Sequence, residues 1–327
     1  MQNIEVVFER FAKLNVLIVG DVMIDRYIHG KVNRISPEAP VPIVEFTHSE
    51  ERLGGAANVA LNIKALGATP YLFSVIGQDR DADIFQNLLR NNNLPIQGIT
   101  LSQKRMTTVK TRIVAGSQQL LRMDTEQTQD LDTELSTDFL KNLAAFLAEN
   151  TIDVLILQDY NKGVLSEKVI EGVLHIAQEK KIPTVVDPKK KNFFCYKNVT
   201  LFKPNLKEIR EALPFDIKPD VDSLQNAADY LRNTLGHQAT MITLSEKGLF
   251  LEDKNAKGRI FPTKNRQIAD VSGAGDTVIS VAALGIATTL NKDTMAHLCN
   301  IAGGQVCEEA GVVPLSIDRL KKEVGSL

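Results

Sequence analysis

Eight residues, Asp270-Val271-Ser272-Gly273-Ala274-Gly275-Asp276-Thr277, set two glycines, an alanine and an acid directly before an apolar run at 278–284. That run reads as a buried helix with Gly273, Ala274 and Gly275 at its N-terminus. Such small residues leave the first-turn N–H groups open, and these groups with the positive end of the helix dipole make an anion site. An acid beside an anion is unfavourable unless it has work to do. The simplest work for Asp276 is to take a proton from a hydroxyl that attacks a phosphoryl group. The competing reading is a glycine-rich helix start with an acid in its first turn, and a short glycine motif alone does not decide between them. A second cluster, Gly54-Gly55-Ala56-Ala57-Asn58, opens another expected helix. Its glycines admit a small ligand, and Asn58 offers a donor and an acceptor. Asp21 and Asp25 follow the first apolar run and suit pairs of sugar hydroxyls, although Asp25 could instead pair with Arg26 or Arg34.

The elements that must position these residues alternate. Short β-branched runs at 16–19, 72–76, 154–157, 184–186 and 241–244 suit strands buried on both faces of a parallel sheet. Helical stretches are expected at 56–66 (ending at Gly67), 166–180 (capped by Ser166) and 222–235 (ending at Gly236). The expected fold is therefore α/β, a doubly wound, mostly parallel sheet with helices on both faces and right-handed crossovers. Asp21, Asp159, Asp187 and Ser245 fall just after strands, where open α/β sheets bind ligands. Two segments, 27–52 and 105–123, break the alternation. The proline-spaced Ser36-Pro37-Glu38-Ala39-Pro40-Val41-Pro42 forbids helix, and 107–114 alternates like a strand. Both read as strands of a small β-sheet lid.

Composition sets limits. The 327 residues suit one large α/β domain, and 43% hydrophobic with 24% charged content is that of an ordinary globular chain. The balance of 38 basic and 40 acidic residues, net −2, gives no electrostatic case for nucleic acid or membrane partners. Cys195, Cys299 and Cys307 lack metal spacing and read as reduced thiols, Cys307 within a helix, in a cytoplasmic protein. Residues 1–10 carry acids and lack the apolar core of a signal peptide.

Gly54-Gly55-x-x-Asn58, Asn205-Leu206-Lys207-Glu208 and Gly273-Ala274-Gly275-Asp276 together resemble the ribokinase-like (PfkB) sugar kinases. The runs at 20–27 (Gly-Asp-Val-Met-Ile-Asp-Arg-Tyr), 34–42, 54–60 and 118–122 are similar to one subfamily, the heptose 7-phosphate kinase domains of ADP-heptose biosynthesis. The resemblance spans essentially the whole chain. It implies ATP-dependent phosphorylation of the anomeric oxygen of D-glycero-D-manno-heptose 7-phosphate, within a single kinase domain (1–327) lacking the adenylyltransferase domain often fused to it. It implies Asp276 as general base and Gly273, Ala274 and Gly275 as donors to the transferring phosphoryl group. Asn205, Leu206, Lys207 and Glu208 would organise ATP and Mg²⁺, Glu208 through water. Ser245, Lys247 and Gly248 would hold the nucleotide phosphates, and Asn300 and Gly303 would flank the adenine. Asp21, Asp25, Gly54, Gly55 and Asn58 would hold the sugar. Asp270 matches a residue beside a monovalent cation, but Gly311-Val312-Val313-Pro314 lacks the hydroxyls of the usual loop, which weighs against K⁺. Lys190 and Gln158 also depart from the subfamily, which usually has glycine and often serine there.

A phosphorylated substrate needs a basic handle, and Lys162, Lys189, Arg112 and Arg122 are the candidates, with Lys190 and Lys191 better read as solvated. The expected partners are a sugar phosphate, ATP and a second copy of the chain joined through the lid. Another sugar or sugar phosphate is the alternative acceptor. A dinucleotide oxidoreductase would need Gly-x-Gly-x-x-Gly after the first strand, where Gly20-Asp21-Val22-Met23 stands. A non-catalytic relative would be expected to have lost Asp276.

Overall fold

The computed structural model describes residues 4–116, 118–253 and 256–325. Helix α1 (Ile4–Phe11) precedes β1 (Asn15–Gly20), the long strands β2 (Val22–Ile35) and β3 (Pro42–Gly55), then α2 (Ala56–Ala65), β4 (Thr69–Gly77), α3 (Arg80–Asn91) and β5 (Ile99–Ser102). The antiparallel pair β6 (Val109–Ala115) and β7 (Gln118–Thr125) leads into α4 (Thr133–Glu149), β8 (Val154–Gln158), α5 (Glu167–Glu179), β9 (Thr184–Asp187) and β10 (Leu201–Phe202). Next come α6 (Leu206–Ala212), α7 (Val221–Leu235), β11 (Ala239–Thr243), β12 (Leu249–Asp253), β13 (Ala256–Phe261), α8 (Ala274–Ala287), α9 (Lys292–Val306) and α10 (Ile317–Val324).

Nine strands form the main sheet in the order β13-β12-β11-β10-β9-β8-β1-β4-β5, every pairing parallel except those of β12 with β11 and β13. Each face carries its own core. Phe11, Ile63, Leu284 and Leu298 lie in one, and Leu143, Ile170 and Leu231 in the other. This double covering is why β1 and β8 read as unbroken apolar runs. Strand order reverses at β1, with β4 and β5 to one side and β8 onward to the other. The crevice at the C-terminal ends of β1 and β8 is thus the switch point where such sheets take ligands.

The second sheet has four strands, β3-β2-β6-β7. It is larger than the two expected segments. β2 and β3 pair from Val22 opposite Gly55 out to Ile35 opposite Pro42, and the chain leaves the sheet only after Thr125. Its root lies in the main core, where Val22, Met23, Ile24 and Leu53 are buried. Val109 of β6 is also buried in that core. Ile35, Val41 and Phe46 are exposed toward its outer end, and Leu121 and Met123 on its edge strand β7. Smaller differences have local causes. Gly54 and Gly55 end β3 rather than start α2, because Gly55 turns the chain at φ 62°. α7 starts one residue early, capped by Asp220. Cys307 caps α9 rather than lying inside it.

Candidate active site

Asp276 lies in the first turn of α8 and is 2% exposed. Its Oδ2 accepts from Asn58 Nδ2 at 2.8 Å, the amide supplied by the first turn of α2. Its Oδ1 accepts from the Tyr160 hydroxyl at 2.6 Å and from Gln158 Nε2 at 3.2 Å, both at the exit of β8. Burial lifts the carboxyl to about 6, while bonds from Asn58 and Tyr160 pull it down. This carboxyl is thus poised to exchange a proton near neutrality.

Gly273 precedes the helix at φ 81°, a conformation glycine takes without strain, and a Cβ there would lie 3.0 Å from the Asn58 amide nitrogen. A Cβ on Gly275 would stand 3.6 Å from Asp187 Oδ2 and 4.0 Å from Lys203 Nζ. The first turn of α8 therefore faces a buried ion pair, with Lys203 Nζ 2.9 Å from Asp187 Oδ2. An ammonium opposite a helix N-terminus reinforces an anion site. Lys203, Tyr160 and the base contact of Gln158 were not legible in sequence. Lys203 is an ordinary lysine until β10 is placed beside β9.

On the expected ATP side, Asn205 caps α6. Its Oδ1 accepts from the Glu208 amide at 2.9 Å, and Glu208 Oε2 accepts from the Asn205 amide at 2.8 Å. The Asn-x-x-Glu element is thus a capping box whose second carboxylate oxygen takes the Lys189 ammonium. Leu206 is half-buried and Lys207 exposed in the first turn of α6. Asn205 bridges to Thr243, which brings the turn Ser245–Lys247 alongside, with Gly248 at φ 91°. Ser245 and Lys247 are exposed there. Asn300 donates to the carbonyls of Phe261 (2.8 Å) and Pro262 (3.3 Å) at the end of β13. Gly303, expected beside the adenine, lies where α9 packs on α8, since a Cβ would come 2.9 Å from Val278.

On the sugar side the structure separates Asp21 from Asp25. Asp21, expected to bind sugar, is 1% exposed and spends both oxygens on three backbone amides, Tyr160 (2.8 Å), Lys162 (3.0 Å) and Val164 (3.0 Å). It anchors the 160–164 loop. Asp25 pairs with Arg112 of β6, not with Arg26 or Arg34. Gly54 makes room for that carboxylate, because a Cβ would lie 2.1 Å from Asp25 Oδ2.

The four candidate handles all have partners. Arg112 holds Asp25, Lys162 meets Glu126 at 2.7 Å, Lys189 meets Glu208, and the exposed Arg122 meets Asp124 at 3.0 Å. Lys110 was missed. Register puts it in line with Asp25 and Asp124 on one lid face. Its Nζ lies 5.5 Å from the Tyr160 ring centroid, and among the described residues no carboxylate comes within ion-pair distance of it. Burial lowers its basicity.

Asp270, the expected cation-side residue, accepts from the amides of Ser272 (2.9 Å) and Gly311 (3.1 Å). The same 310–312 loop is tied to the lid. Arg52 donates to the carbonyls of Ala310 and Val312, and Tyr27 Oη accepts from the Val312 amide.

Comparison with known proteins places this geometry. The profile described as pfkB family carbohydrate kinase matches residues 13–318. The chain is 40% identical over 312 residues to the bifunctional protein HldE of Methylobacillus flagellatus, covering 95% of this chain and 63% of that protein. It is 36% identical over 321 residues to the bifunctional protein HldE of Syntrophotalea carbinolica, covering 97% and 64%. It thus spans somewhat under two thirds of these relatives' length. Among solved structures, Escherichia coli phosphofructokinase-2 in complex with potassium superposes with TM-score 0.79 at 19% identity, over 96% of this chain and 98% of that one. Arabidopsis thaliana ribokinase complexed with ribose and ATP gives 0.72 at 14% identity, over 94% and 99%. These two show a shared fold. With the family profile covering nearly the whole chain, the protein belongs to the pfkB family of carbohydrate kinases.

Proposed function

We propose that the chain transfers the γ-phosphoryl group of ATP to the anomeric hydroxyl of D-glycero-D-manno-heptose 7-phosphate, giving the 1,7-bisphosphate for ADP-heptose (lipopolysaccharide core precursor) synthesis. The observation that carries the chemistry is the Asp276 carboxylate, buried at the glycine-lined start of α8 and held by Asn58, Gln158 and Tyr160. The choice of sugar is supported by the subfamily runs at 20–27 and 34–42 and by the similarity to HldE proteins.

In this reading the sugar lies between Asp25 and Asn58 beneath the lid. Asp276 takes the proton of the anomeric hydroxyl as its oxygen bonds to the γ-phosphorus. The bond to the bridging oxygen breaks and ADP leaves. Charge on the transferring oxygens meets the first-turn amides of α8 and Lys203. A Mg²⁺ ion bound with ATP would supply charge neutralisation at the phosphates, and Glu208 at the start of α6 would hold it through water. Among the described residues no three acidic, histidine or cysteine side chains converge to hold a metal. The donor set therefore fits an ion carried by phosphates and water, with Glu208 behind water. Both oxygens of Asp270 serve amides and the 311–314 loop has no hydroxyl, so K⁺ should be dispensable.

Lys110 is the best-placed cation for the distal phosphate, since the other four are already paired. The apolar lid end fits a homodimer. Among the described residues no helix is long and apolar enough to cross a membrane, and a reaction on ATP and a sugar phosphate fits a cytoplasmic enzyme. ³¹P NMR of the product tests the proposal. A new anomeric phosphate on heptose 7-phosphate supports it, and phosphorylation only at another position or on another sugar contradicts it.

A further inference from the structure

A carboxylate has four lone-pair directions, two on each oxygen, and the number taken by the protein decides which is left to react. On Asp276, Oδ1 receives two donors, the Tyr160 hydroxyl at 2.6 Å and Gln158 Nε2 at 3.2 Å. Oδ2 receives one, Asn58 Nδ2 at 2.8 Å. The start of α8 adjoins both sets of donors, Gly273 beside the Asn58 side-chain amide and Gly275 beside Asp187, which Gln158 Nε2 also reaches at 3.4 Å. Among the described residues, the one lone pair of the base left without a donor is therefore on Oδ2.

Tyr160 is itself held from three directions. Its amide donates to Asp21, whose other two bonds fix Lys162 and Val164 behind it. Its ring has two ammonium groups near it, Lys110 of the lid at 5.5 Å and Lys189 beside Glu208 at 5.7 Å from the centroid. Its hydroxyl is directed at the base by a rigid loop rather than by solvent.

We propose that Tyr160 is a positioning residue for the base: by saturating Oδ1 together with Gln158, it fixes the carboxylate plane and leaves the reactive lone pair on Oδ2. Asp21 acts one step further back, by holding the loop. This rests on Asp276 being the base, which Asp276→Asn tests separately. Donation from a phenol favours the charged carboxylate, so Tyr160 also keeps the base ionised against its burial. The other charged groups facing this pair are Asp187 and Lys203 at the α8 N-terminus, Asp25 and Lys110 from the lid, and Lys189. None is altered by removing one phenolic oxygen.

The experiment is the pH dependence of kcat and kcat/KM for Tyr160→Phe against wild type, with heptose 7-phosphate and ATP. The phenylalanine ring keeps the packing. The expected result is a kcat about ten-fold lower, an unchanged KM for ATP, and an acid limb moved to higher pH by roughly half a unit or more. Placing 3,5-difluorotyrosine at position 160 strengthens the donor and should move the same limb to lower pH. It also keeps the test open if the phenylalanine variant does not fold. An unmoved acid limb in both variants overturns the inference. So does a rise in sugar KM alone at constant kcat, which makes Tyr160 only a surface for the sugar. If Asp276→Asn retains activity, the base assignment itself has failed.

Discussion

At the scale of single residues, Asp276→Asn removes the proton acceptor and keeps the volume. General bases contribute about 10²–10⁴-fold, so kcat should fall at least a hundred-fold while ATP still binds. In the wild type the base must be ionised, and its carboxyl sits at about 6, so kcat/KM should fall as pH drops through 6. The same shift has a sign for stability. A carboxyl raised above its ordinary value of 3.8 favours the fold while protonated, an advantage complete below about 3.8 and lost as pH rises through about 6. Two units correspond to at most about 3 kcal/mol. The Asn variant should therefore melt at or above the wild-type temperature at pH 8, and that excess should vanish toward pH 4. A variant that melts well below wild type at pH 8 contradicts this. Asp276 was legible because its helix, glycines and acid are contiguous in sequence. Tyr160, Lys203 and Lys110 were not, because each gains its role from partners far away in the chain. Asp21 was misread for the same reason: its three amide partners lie about 140 residues on, and position after a strand cannot tell a loop anchor from a ligand.

At the scale of elements, the start of α8 and the lid make separate predictions. Gly275→Val has room to fold, since its Cβ meets Asp187 and Lys203 only at 3.6 and 4.0 Å. Its methyl groups would fill the cradle, so kcat and ATP affinity should both fall in a protein with native circular dichroism. Unchanged kinetics would put the anion hole elsewhere. In the lid, Lys110→Met should raise KM for the sugar phosphate about ten-fold or more, with KM for ATP unchanged and less preference for a phosphorylated over a plain sugar. Equal KM values would remove Lys110 from the substrate site. The lid was legible as a break in the strand–helix alternation, and its prolines ruled out helix. Its extent was not, because the inner end of β2, Val22-Met23-Ile24, is as apolar as a core strand and is buried like one. Strands as short as β10, two residues long, give no periodic signal.

At the scale of the whole molecule, β-branched runs alternating with capped helices were enough to read the doubly wound sheet. The order of its strands, and hence which loops meet, came only from the structure. The outer lid leaves Phe46 66% and Ile35 60% exposed, with Val41, Leu121 and Met123 nearby. A patch of this kind on open strands fits a two-fold partner. Sedimentation at micromolar concentration should show a dimer, and Phe46→Glu should shift it toward monomer. A clean monomer for the wild type contradicts this. The most direct measurement of the central claim is kcat/KM by ADP release, measured side by side for heptose 7-phosphate, heptose, fructose 6-phosphate and ribose. The account predicts heptose 7-phosphate ahead of every other acceptor by at least a hundred-fold. Equal turnover of heptose and heptose 7-phosphate, or a better rate with fructose 6-phosphate or ribose, would contradict it.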